Sequence, residues 1–141
     1  IFFSIQEGVH IIFRPIGGRV ADKRGYGVAL FLGLVMMAVG LAILPLMVGL
    51  MILLAAIILG FAQAMVLPAS VALLAAETRA GHRGAGMGFY GALRNMGKVG
   101  GPVITGALLT AFTFSSVFYG YAVLVAFIAI AVRMRLTYPI I

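Results

Sequence analysis

From residue 28 to residue 76 the chain carries no aspartate, glutamate, lysine or arginine, and no other feature limits its fold as much. A single helix of that length would be about twice as long as a bilayer is thick, at a rise of about 1.5 Å per residue. The run is therefore two membrane spans joined by a turn. Residues 44–50 are the place for that turn, because Pro45 disfavours a helical conformation at Leu44 and Gly49 tolerates a reversal. Within the second span Pro68 predicts a kink, and Gln63 is its single amide.

The charges fall in short clusters between apolar runs. Residues 14–27 carry Arg14, Arg19, Lys23 and Arg24, one carboxylate, Asp22, and the glycines Gly17, Gly18, Gly25 and Gly27, which reads as a tight basic loop between two spans. A second cluster holds Glu77, Arg79, His82 and Arg83, and a third holds Arg133 and Arg135. Cations beside spans mark the cytoplasmic face, and the uncharged turns at 44–50 and 112–116 alternate with them as outside turns should. At 64% apolar and 9% charged residues the chain departs far from a soluble domain, where these fractions are about 45–50% and about 25%. The net charge of +7 follows from this topology, so nucleic acid is not implied.

The expectation is an all-α membrane protein, a polytopic transmembrane helix bundle of about five helices. Its spans are expected at about 1–16, 28–44, 50–76, 85–111 and 117–132. The first is truncated, since the apolar run at 1–13 is shorter than the roughly 20 residues of a complete span and the chain opens inside a helix. There is no cysteine, and two histidines with three carboxylates form no dense ligand cluster, so no metal and no cofactor are expected. An intramembrane phosphotransferase would need several aspartates, and Asp22 is the only one. His10 and His82 stand too far apart for a zinc protease. An enzyme is not expected.

Charged groups inside apolar spans are expensive and mark candidate sites. Glu7, His10 and Arg14 fall within about 60° of one another on a helix, a single polar stripe that should face a cavity or another helix. On the fourth span Arg94 and Lys98 lie about 40° apart, with Gly101 on the same side. Lys98 stands about 20 Å along that helix, near the middle of the bilayer. An unpaired cation there costs at least about 2.5–3.5 kcal/mol, so Lys98 should face a wet cavity, contact an anionic solute, or pair with an acid such as Glu7. Glu7 and His10 are the candidates for proton coupling, and Gln63, Arg94 and Lys98 join them as candidates for solute contact. Equally, Glu7 and His10 could serve only to hydrogen-bond a neighbouring helix.

Gly18, Asp22, Lys23 and Gly25, with Arg24 between the last two, stand at the spacing Gly-x-x-x-Asp-Lys-x-Gly. This resembles the signature loop of the major facilitator superfamily of secondary transporters. Tyr26 and Gly27 depart from it, standing where basic residues are usual. Gly88, Gly97, Gly101, Pro102 and Gly106 resemble the same family's glycine–proline helix, a packing motif strongest in its proton-coupled drug antiporters, with Thr105 in place of one glycine.

The resemblance implies secondary active transport of a small solute across the plasma membrane by alternating access, with proton-coupled efflux as one form. The cell would be of prokaryotic type and the protein multi-pass. Asp22 would contact a neighbouring helix end and a cation, stabilising the conformation closed on the cytoplasmic side. The family is built from two six-helix halves, so the chain would be part of one half, unable to transport without the missing half. Ala56, four residues before Gly60 where the N-terminal half commonly has arginine, and the short tail at 136–141 favour the C-terminal half. The partners implied are the solute, protons, the lipid bilayer and that missing half. A non-transporting structural membrane subunit is the alternative.

Overall fold

The computed structural model describes residues 1–137, and the tail read as a chain end lies, from residue 138 on, outside the described residues. Five α-helices follow one another: α1 (Phe2–Arg24), α2 (Tyr26–Ile43), α3 (Ile52–Glu77), α4 (Arg83–Ala111) and α5 (Phe114–Thr137). The turn expected at 44–50 is present as two short 3-10 turns, Leu44–Leu46 and Gly49–Met51. Pro45 sits at the start of the first, and Gly49 takes φ +61, the left-handed region that a side chain disfavours. Among the described residues three segments are long and apolar enough to cross a membrane: Tyr26–Leu46, Gly49–Glu77 and Phe114–Arg135. The other two helices, α1 and α4, bear the polar stripes, which lower their average apolarity.

The basic segment 14–27 is not the loop that its glycines and cations predict. Helix α1 continues through Pro15 to Arg24, and the chain reverses at one residue, Gly25, with φ +90. Continuing the helix pairs the peptide groups of this segment within α1. Lys23 and Arg24 then occupy its last turn, where cations oppose the negative end of the helix dipole. Helix α1 is thus longer than the span expected at 1–16. Likewise α5 extends beyond 117–132, so Arg133 and Arg135 lie on the helix, and the Arg133 guanidinium sits 5.1 Å from the centre of the Phe31 ring. That contact joins the end of α5 to the start of α2, so the two helices are antiparallel.

Helix α3 is the centre of the bundle, and small residues let its neighbours approach. Its buried positions include Ala55, Ala56, Gly60, Ala62, Ala64 and Ala69. Gly33 of α2 lies against Met65 and Val66, and Gly40 lies against Leu59, an antiparallel pairing. On the opposite side Gly17 of α1 meets the Ala64 backbone, and Gly60 meets Gln6 and Val9, so α1 and α3 run in the same direction. Close backbone approach of this kind is how membrane helices associate when water supplies no hydrophobic drive. Helix α4 stands at the margin and buries no residue.

Candidate functional site

Helix α1 turns Glu7, His10 and Arg14 toward α4, and α4 answers with Tyr90, Arg94 and Lys98, successive residues four apart and so on one face. Gln63 of α3 lies between them. Together they enclose a cavity of about 610 Å³ lined by Glu7, His10, Gln63, Arg94 and Lys98, with Met37, Val66, Leu67 and Gly97 completing the wall. A smaller cavity of about 350 Å³ shares His10, Leu67 and Arg94 with the first and adds Arg14, Pro68 and Tyr90. All five residues expected to serve solute or proton thus meet around one space. They come from three different helices.

Within this space the polar groups are sparsely paired. His10 Nδ1 lies 3.4 Å from Glu7 Oε2, a long contact between residues one turn apart. The His10 side chain is 12% exposed and the Glu7 side chain 62%, so the carboxylate reaches toward the open part of the cavity while the imidazole is enclosed. His10 Nε2 is buried and meets no partner among the described residues. Glu7 is paired with His10 and not with Lys98, so the ion pair weighed for Lys98 does not form within the described chain.

The signature segment lies elsewhere, and of the glycine–proline residues Gly97 reaches the larger cavity. Asp22, Lys23 and Arg24 are exposed on the last turns of α1, and Asp22 has no hydrogen bond or ion pair among the described residues. Gly25 supplies the reversal, whereas a side chain at Gly18 would meet nothing within 4 Å. On α4, side chains built at Gly88, Gly97, Gly101 and Gly106 would also meet nothing within 4 Å, and Pro102 is exposed inside the helix. Side chains at these glycines would therefore touch no described part of this chain. Thr105, in place of a glycine of that motif, forms a 2.8 Å hydroxyl–hydroxyl hydrogen bond with Tyr121 of α5.

A sequence model of the Major Facilitator Superfamily matches residues 1–139. The chain belongs to this superfamily. Its members are membrane transporters rather than enzymes, and the five-helix architecture without strands among the described residues fits part of such a transporter. No curated protein and no solved structure matches the chain.

Two contributors were not singled out from the sequence. Tyr90 lines the smaller cavity, and its position one turn before Arg94 was the available signal. Gly17, rather than the motif's Gly18, is the glycine that α3 touches, and nothing in the local sequence separates these two neighbours.

Proposed function

We propose that this chain forms part of a secondary active transporter that carries a small solute across the plasma membrane of a prokaryotic-type cell by alternating access. The observation that supports this most is the convergence of Glu7, His10, Gln63, Arg94 and Lys98, from three helices, on one cavity of about 610 Å³. That volume lies within the range of about 300–1,000 Å³ common for small-molecule sites. A purely structural subunit would have no use for five polar side chains around a space that none of them fills. The missing half of the transporter would close the open side of the cavity and pack against the exposed glycines of α4. Asp22, exposed and pairing with no described residue, would find its helix end and cation across the same boundary, in one conformation only, and so bias the conformational equilibrium.

Flux measurements on the full-length protein in vesicles test this reading. Solute accumulation driven by an ion gradient is expected, and correctly inserted protein without flux of any solute would return the chain to the structural class. Glu7 is the carboxylate of the cavity and the candidate for proton coupling, in the proton-driven efflux that the resemblance of the glycine–proline motif implies. In Glu7→Gln, proton-driven transport should fail while solute exchange without a gradient persists. Unchanged proton dependence would place coupling outside this cavity.

A further inference from the structure

The charges around the cavity are unequal. Helix α1 presents Glu7 and His10, α2 presents the neutral Met37, α3 presents the neutral Gln63 with Val66 and Leu67, and α4 presents Arg94 and Lys98. The one carboxylate is already in contact with His10. Neither Arg94 nor Lys98 has a hydrogen bond or ion pair with any described residue. Two cations thus share a face of α4, one turn apart, and the one carboxylate among the described residues that lines their space, Glu7, contacts His10 and neither of them.

We propose that the cavity takes a solute bearing an oxyanion head, a carboxylate or a phosphate, held between Arg94 and Lys98. The spacing suits such a head: residues four apart on a helix stand roughly 5–6 Å from each other at Cβ, so a planar guanidinium and a point ammonium can grip oxygens of one group. Charge-assisted hydrogen bonds of this kind are the strong ones. The Gln63 amide offers a further donor from the opposite wall, and Val66 and Leu67 give the carbon skeleton of the solute an apolar surface. The proposal rests on the transport reading and adds the chemical class of what is carried.

The test uses the full-length protein in vesicles, with radiolabelled succinate and inorganic phosphate as the anionic probes, and glucose and ethidium as neutral and cationic comparators. Saturable uptake of succinate or phosphate above both comparators is expected, and whichever anion is carried identifies the head as carboxylate or phosphate. Arg94→Gln and Lys98→Gln should each raise the half-saturation concentration about tenfold or more, as loss of a charge-assisted bond does. Lys98→Arg should restore most of the affinity. Asn95→Ala, on a different face of the same helix beside Met96 and Val99, should change nothing. Both cations are exposed, so protein yield and monodispersity should match the parent. Transport of glucose or ethidium without either anion would overturn the anion site and leave the transport reading standing. Anion uptake indifferent to both Gln substitutions would also overturn it, and absence of flux for every probe would remove both.

Discussion

Gly17 of α1 lies directly against the backbone carbonyl of Ala64 on α3, with no room for a side chain between them. The carbonyl is available because Pro68, four residues later, has no N–H to donate to it. A proline that looks like a helix defect in the sequence is therefore at the closest approach of two helices. Gly17→Val should push α1 from α3 and destabilise the protein by about 1–3 kcal/mol, as overpacking does. Gly18→Ala, pointing into open space, should be neutral or slightly stabilising. Thermal melting of the full-length protein in detergent compares the two, and equal losses would refute the close contact.

The reversal between α1 and α2 depends on Gly25, whose φ of +90 is a conformation L side chains rarely adopt. Nothing lies within 4 Å of a Cβ built there, so strain rather than collision sets the penalty. Gly25→Ala should cost about 1–2 kcal/mol. Gly81, equally open but without positive φ, is the control, and Gly81→Ala should leave the melting temperature unchanged.

How far the sequence reveals this arrangement depends on the kind of signal. The charge-free run with Pro45 and Gly49 inside it located α2, the turn and α3 closely, because a run twice the bilayer thickness has one sensible solution. Residues 14–24 read as a loop because glycine and proline are turn signals in water, whereas the helix that continues through them keeps its peptide groups paired as it leaves the apolar run. The polar stripes of α1 and α4 were visible separately through helical periodicity. That they line one cavity is a tertiary fact, and Gly17 and Gly60, which set the packing of α1 on α3, carry no sign of their partners. The glycines of α4 read as packing positions, but a side chain at any of Gly88, Gly97, Gly101 or Gly106 would meet no described residue within 4 Å.

The chain has no cysteine, so single cysteines report topology cleanly. Leu50 and Gly81 flank α3, whose 26 residues span about 39 Å, and both are exposed. An impermeant thiol reagent outside intact cells should label Leu50→Cys and leave Gly81→Cys unmodified until the membrane is opened. Labelling of both from outside would overturn the cytoplasmic placement of the basic segments at 19–24, 79–83 and 133–135.

Asp22 is exposed on the last turns of α1 and pairs with no described residue, so its removal has little to break within this chain. Asp22→Asn should change stability by less than about 0.5 kcal/mol, like other surface substitutions. Its effect belongs to the conformational equilibrium, where a contact made in one state alone is worth roughly fivefold or more. A transport rate reduced by that factor, with normal insertion, is the expected result. Parent-like flux would make Asp22 an ordinary solvated charge.

Glu7 and Lys98 line the same cavity, yet the carboxylate contacts His10 at 3.4 Å and not the lysine. If Lys98 existed to neutralise Glu7, then removing both charges together would restore what removing one destroys. The geometry argues otherwise: Lys98→Gln takes away a cation with no described counter-ion, and Glu7→Gln independently alters the contact with His10. The Lys98→Gln, Glu7→Gln double variant should therefore transport no better than Lys98→Gln alone, the two defects adding with little coupling. Reconstituted flux for the parent, the two single variants and the double variant closes the cycle. Recovery of parent-like flux in the double variant would make Lys98 the structural partner of Glu7 and remove it from solute binding.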